Sequence, residues 1–275
     1  MTPELYAQQL RPHLLAAPAE LLLDALPPLR RGGLWLEVGA GAGALTGALS
    51  RRLASEGARL IALDPRSVLL ESLLPQEGLA GRVLARMSLL PVARASLDGI
   101  VGNLLLGSRA EDLTRIEGLA SALRPGGHLV MTALLRGAFD EVLDLLIEVC
   151  ETEGLPRARA AFLDAREDLP RVEELAAIFE DAHVTVEALG VEERVLRFDG
   201  GAHMASHPFV RDVLVATWLR GGRSLPPAAF GELARAADAY LGPGPLPVQV
   251  RVAVARVRRG APAEREANDR ATSLL

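Results

Sequence analysis

The segment Leu34-Trp35-Leu36-Glu37-Val38-Gly39-Ala40-Gly41-Ala42-Gly43 constrains the fold of this 275-residue chain more than any other. A short, mostly apolar run leads straight into glycines at alternate positions, which reads as a buried strand followed by a tight turn into a helix. Glycine at 39, 41 and 43 permits positive φ and lets the backbone approach a ligand more closely than a β-carbon allows. The N-terminus of the next helix adds unpaired N–H groups and the positive end of its dipole, so the turn suits an anionic group.

The remaining sequence repeats the alternation. Apolar strand-like runs at Leu34 to Val38, Arg59 to Leu63, Arg82 to Ala85, Leu97 to Gly102 and His128 to Thr132 are separated by helical patterns near Ala44 to Glu56, Ser67 to Leu74, Arg109 to Leu123 and Gly137 to Glu153. A helix near Val172 to Ala182 leads into a sixth strand over Val184 to Arg197, and alternating valines at 248, 250, 252 and 254 predict a last one. The expected fold class is therefore α/β, a doubly wound, mostly parallel sheet with helices on both faces. Residues 1–30 read as N-terminal lid helices, two short ones broken around Pro12 and Pro18. Residues 31–198 form the α/β core, 199–241 a helical insertion or lid, 242–258 the final strand, and 259–275 a disordered tail.

Composition removes several classes of chemistry. Cys150 is the only cysteine, which excludes an internal disulfide, a thiolate zinc site and Cys-x-x-Cys redox chemistry. All 30 basic residues are arginine, so neither a Schiff-base lysine nor a phosphate-loop lysine exists. A net charge of −5, with acids and arginines interspersed, gives no broad basic footprint, and no nucleic-acid partner is expected. No apolar run is long enough to span a membrane, and the start of the chain lacks the pattern of a secretory signal, so a cytoplasmic location is the expectation.

The glycine turn alone also fits the looser dinucleotide fingerprint G-x-G-x-x-A. Glu37 departs from that pattern, because a nicotinamide-binding strand normally carries an apolar residue there; its carboxylate suits the ammonium of a methionyl group. Asp64, closing Leu60-Ile61-Ala62-Leu63-Asp64, is placed to accept hydrogen bonds from ribose hydroxyls and serves either cofactor. Leu97-Asp98-Gly99-Ile100-Val101-Gly102-Asn103 and Leu123-Arg124-Pro125-Gly126-Gly127 have no counterpart in the dinucleotide fingerprint.

Taken as a set over residues 30 to 135, these motifs resemble the class I S-adenosylmethionine-dependent methyltransferases, especially the branch of ubiquinone-biosynthesis and malonyl-carrier-protein O-methyltransferases. The resemblance implies a seven-stranded sheet with the last strand antiparallel, S-adenosyl-L-methionine as cofactor, and a small-molecule methyl acceptor. It further implies that Glu37, Gly39, Ala40, Gly41 and Gly43 hold the methionyl end and Asp64 the ribose. Pro65 shapes the adenine edge, and Asn103 lies at the methionyl backbone or the transfer site. Where the family usually places an acidic residue for the adenine amino group, this chain has Arg86, a donor-only side chain, leaving Met87 or a backbone amide for that contact.

No catalytic base is assigned from sequence; His203, His207 and Tyr6 are the candidates, and no metal site is expected. Gly200 and Gly201 disfavour a helix through His203, and Trp35 and Trp218 read as core rather than as substrate platforms. Two alternatives remain open at this stage: a non-catalytic cofactor- or partner-binding module on the same fold, and an NAD-dependent oxidoreductase.

Overall fold

A computed structural model describes residues 1–106, 109–220, 224–242 and 244–260. Its seven strands are β1 (Leu34–Val38), β2 (Arg59–Asp64), β3 (Leu79–Leu84), β4 (Leu97–Leu106), β5 (Leu123–Leu134), β6 (Val184–Phe198) and β7 (Leu246–Arg259). They form one sheet in the order β3-β2-β1-β4-β5-β7-β6. β3, β2, β1, β4 and β5 run parallel. β1, β2 and the first half of β4 are apolar and almost wholly buried, as strands covered on both faces must be. β3, at the edge, instead alternates between half-buried and exposed positions. β7 reverses direction: Leu135 donates to the Arg251 carbonyl and Phe139 to that of Gln249, while Arg256 pairs with Glu187 and Arg251 with Glu193. In both sets the residue numbers rise on one side as they fall on the other, which marks antiparallel neighbours. The expected mostly parallel, doubly wound sheet with an antiparallel last strand is the one found.

Helices Thr46–Ser55, Ser67–Ser72, Arg109–Ala122, Asp140–Thr152 and Val172–Asp181 follow the sequence periodicity closely. Pro156–Asp168 is a helix that periodicity does not reveal, because only Phe162 and Ala165 of it are buried and arginines and acids fill most other positions. The N-terminal segment corrects an expectation. Pro12 and Pro18 do not break it into two short helices; residues 3–24 stay helical throughout. Pro12 lies inside a π-helical stretch, Tyr6–Leu15, whose wider turn relieves the clash between the proline ring and the preceding carbonyl. Pro18 is the third residue of Ala16–Asp24 and is buried within this continuous helix.

The chain divides into two compact units, one of residues 1–133, 171–191 and 253 onward, the other of 134–170 and 192–252. In the first, Leu22, Trp35, Leu49, Leu53, Leu60, Val101 and Val130 are buried together. The Trp35 ring lies so close to Gly99 that a β-carbon there would sit 2.2 Å from it. Trp35 is thus core, as expected. Asp98 ties together the starts of three strands: it accepts the Leu34 N–H at 2.9 Å and pairs with Arg124 and Arg30. The Arg124-Pro125-Gly126-Gly127 turn is therefore a structural clamp at the amino ends of the strands. The second unit is built around Phe139, Phe162, Phe209 and Trp218, whose ring centroids lie 6.0–6.2 Å apart in contact pairs, so Trp218 packs in an aromatic core. β7 extends to Arg259, and the expected disordered tail lies, beyond residue 260, outside the described residues. Among the described residues no helix is long and apolar enough to cross a membrane.

Candidate cofactor site

Parallel register brings the sequence-predicted groups of the first unit together. Val38 is paired with Leu63 on one side and Gly102 on the other. Gly39, Asp64 and Asn103 therefore stand side by side at the carboxyl ends of β1, β2 and β4, where ligands bind in open α/β sheets. Gly39 and Ala40 both donate to the Leu63 carbonyl, at 2.8 and 3.0 Å, and Gly43 donates to Ala40 at 3.0 Å, closing the turn. Gly39, with φ +74°, has open space where a β-carbon would be. The Ala40 side chain packs inward with Ala62, Leu70 and Leu73, so only its backbone faces the turn.

Asp64 is fully buried, and its carboxylate is surrounded by donors. Oδ1 accepts the Arg66 backbone N–H and Nε, both at 2.9 Å; Oδ2 accepts Arg66 Nη2 at 2.9 Å and the Gly41 N–H at 2.8 Å. Burial alone raises the pKa of Asp64, but the Arg66 bonds and charge outweigh it and hold the carboxyl below its ordinary value. Arg66 carries no signal in the sequence; its role comes from a side-chain conformation, not from a spacing.

Tyr6, a candidate base from the sequence, packs on the same turn. Gly41 has φ +56°, and a β-carbon there would sit 2.6 Å from the Tyr6 ring. The Tyr6 hydroxyl accepts the Ala44 N–H at 3.3 Å, and burial pushes the phenol up to about 12. A phenol so held donates and accepts hydrogen bonds but does not serve as a base near neutral pH.

Glu37 is the unsatisfied member of the group. It is 2% exposed and its Oε2 has no hydrogen-bond partner. Burial, opposed by the Thr46 hydroxyl beside it and reinforced by the nearby Asp64 charge, pushes its carboxyl up to about 8. A buried, unpaired carboxylate is costly unless a cation meets it.

Asn103 is already engaged at both ends of its amide. Nδ2 donates to the Leu15 carbonyl at 2.9 Å, and Oδ1 accepts the Thr132 hydroxyl at 2.9 Å. Leu104 follows with φ +51°, left-handed backbone in a branched residue, its N–H held by Thr132 at 2.9 Å. Such strain persists only where surrounding bonds enforce it. Pro65 is exposed beside Arg66, and Met87 is half-buried on a single turn, Met87–Leu89, that follows β3. Arg86 is exposed.

His203 and His207 belong to the second unit. Contrary to the sequence expectation, a short helix, Gly201–Ser206, carries His203; Gly200 precedes it with φ +121°, and the Gly201 N–H is held by Asp238 at 2.7 Å. The two imidazoles lie 5.3 Å apart and pack on Phe198. Nδ1 of His203 accepts the Asp199 N–H at 2.9 Å and Nδ1 of His207 that of Phe209 at 3.1 Å. Both rings thus have local structural partners. Among the described residues no group of three or more His, Cys, Asp or Glu side chains is arranged to hold a metal.

Residues 36–131 match the family model Methyltransf_11, described as a methyltransferase domain. No curated protein matches the chain. Among solved structures, a protein of Bacillus halodurans C-125 provisionally described as a methyltransferase is 10% identical with a TM-score of 0.59, the alignment covering 89% of this chain and 100% of that one. The YcgJ protein of Bacillus subtilis is 14% identical with a TM-score of 0.53, covering 89% and 99%. A geranyl diphosphate C-methyltransferase of Streptomyces coelicolor A3(2), in complex with Mg2+, geranyl-S-thiolodiphosphate and S-adenosyl-L-homocysteine, is 13% identical with a TM-score of 0.50, covering 88% and 75%. At these identities the likeness is one of fold.

Proposed function

We propose that this chain, whose residues 36–131 match a methyltransferase domain, is a class I S-adenosylmethionine-dependent methyltransferase that methylates a small molecule by direct in-line transfer, and that the turn after β1 holds the cofactor. The observation that carries the site assignment is Glu37. An unpartnered, buried Oε2 two residues before Gly39, where a β-carbon would meet open space, is an incomplete ion pair, and the methionyl ammonium is the cation that completes it. Gly39, Ala40, Gly41 and Gly43 offer backbone to the methionyl group, Asp64 takes the ribose hydroxyls, and Pro65 and Met87 border the adenine. Asn103 contributes its backbone at the methionyl side, since its side chain is spent on Leu15 and Thr132.

The bound sulfonium supplies an electrophilic methyl group and leaves as a neutral thioether. The chain therefore has to orient and desolvate the reacting pair, a contribution that reaches about 7 kcal/mol or more in well-aligned systems. Glu37 fixes the methionyl end, and the wall of Leu70, Leu73 and Ala40 keeps that side of the turn dry. Tyr6, with its phenol pushed up to about 12, is a neutral hydrogen-bonding group. A small-molecule acceptor is supported by the net charge of −5, which offers no electrostatic footprint for nucleic acid. The ubiquinone-biosynthesis and malonyl-carrier-protein branch rests on the motif set alone and points to an oxygen nucleophile.

Calorimetry with S-adenosylmethionine, S-adenosylhomocysteine and NAD, followed by transfer of labelled methyl groups into a small-molecule extract, tests the reading. Binding of the first two ligands, none of NAD, and label in a low-molecular-weight product are expected. Label confined to RNA or protein would overturn the acceptor class.

A further inference from the structure

The carboxylate assigned to the ribose has no vacancy. An ionised carboxylate offers about four lone-pair sites, and at Asp64 the Gly41 N–H, the Arg66 N–H, Nε and Nη2 take all of them. A ribose diol needs two. The backbone donors are fixed by the chain, so the group able to leave is the Arg66 guanidinium. Its side chain is 43% exposed, against none for Asp64, and water is available to receive it. The glycine turn is covered as well: the Tyr6 ring lies against Gly41 and its hydroxyl holds the Ala44 N–H. The π-helical stretch carrying Tyr6 is anchored at its far end by Asn103 on the Leu15 carbonyl, so this cover is a tethered element of the first unit.

We propose that Arg66 and Tyr6 form a latch over the site, Arg66 standing in for the ribose on Asp64 and Tyr6 covering the glycine turn at the methionyl end, and that cofactor enters by displacing both. The inference rests on the cofactor reading above. Arg66 is a gating residue: it lowers affinity by the free energy of an ion pair that must first be broken. For a half-exposed pair that is about a fivefold factor in Kd. A neutral nucleoside entering such a site gains from salt, because screening weakens the pair it replaces.

The experiment is calorimetry of adenosine and S-adenosylhomocysteine on the full chain and on Arg66→Gln, in salt from about 0.05 to about 0.5 M, a range over which exposed charges become screened. The latch requires adenosine to bind Arg66→Gln about fivefold more tightly at low salt. Wild-type affinity should rise toward that of the variant as salt is added, while the variant changes little. The salt series on the wild type needs no substitution and stands even where the variant folds poorly. Tyr6 has its own readout: of the two tyrosines the other, Tyr240, is exposed, so fluorotyrosine in a Tyr240→Phe background reports Tyr6 alone. Its fluorine resonance should move when S-adenosylhomocysteine is added. Equal binding by both proteins, with no salt effect and a static Tyr6 resonance, overturns the latch and leaves the cofactor site standing. Absence of S-adenosylhomocysteine binding in either protein removes the cofactor reading and the latch with it.

Discussion

Glu37 shows how one residue sets a pH dependence for both binding and stability. With its carboxyl pushed up to about 8, the free protein carries a proton there at pH 7, whereas a bound cation favours the ionised form. Cofactor binding near pH 7 should therefore release a proton, seen as a calorimetric enthalpy that varies with the ionisation heat of the buffer; the release should vanish well above pH 8. For stability the sign is opposite to the usual carboxylate case. The folded value exceeds the ordinary 4.5, so the native state binds more protons than the unfolded chain between 4.5 and about 8, and stability falls as pH rises through that window. Glu37→Gln should flatten this slope and melt above the wild type at pH 8 and beyond, by about 2–4 °C for each kcal/mol relieved. Glu37, Asp64 and the glycines are legible in sequence because the roles proposed for them follow from position at strand ends. Arg66 is not, since its pairing with Asp64 is a choice of side-chain conformation, and Tyr6 reaches Gly41 only through tertiary packing.

At the scale of elements, β1, β2, β4 and β5 were readable because burial writes them as short apolar runs, whereas edge strand β3 alternates and only its second half was read as a strand. β6 and β7 announce themselves instead by alternation. The antiparallel run of the last strand came from the family resemblance, and the place of β7 between β5 and β6 is seen only in the structure. The helix Pro156–Asp168 left no stripe to read, and the N-terminal prolines misled because a π-helical turn accommodates one of them. The same N-terminal element depends on Asn103. Asn103→Ala leaves the Leu15 carbonyl and the Thr132 hydroxyl without their partner, and should cost about 1–3 kcal/mol in a denaturant-unfolding experiment. It should also release the backbone of residues 6–15 to faster amide exchange, a local effect that a general core defect does not produce.

For the whole molecule, the sheet divides its work between its two ends. At the amino ends, Asp98 with Leu34, Arg124 and Arg30 clamps β1, β4 and β5; at the carboxyl ends stand Glu37, Asp64 and the glycine turn, the groups proposed to bind. The motifs that carry the family resemblance thus fall partly on stability and partly on the proposed site. Gly99→Ala, beneath the Trp35 ring, should destabilise by about 1–3 kcal/mol through overpacking while leaving cofactor affinity within twofold, measured by thermal unfolding and calorimetry. The proposed site stands or falls on Glu37 meeting the methionyl ammonium. Its most direct test is calorimetry of S-adenosylhomocysteine and adenosine on wild type and Glu37→Gln, since only the first ligand has a methionyl end. The substitution should weaken S-adenosylhomocysteine by about tenfold or more, about 1.4 kcal/mol, and leave adenosine unchanged. Equal weakening of both ligands, or of neither, would contradict it.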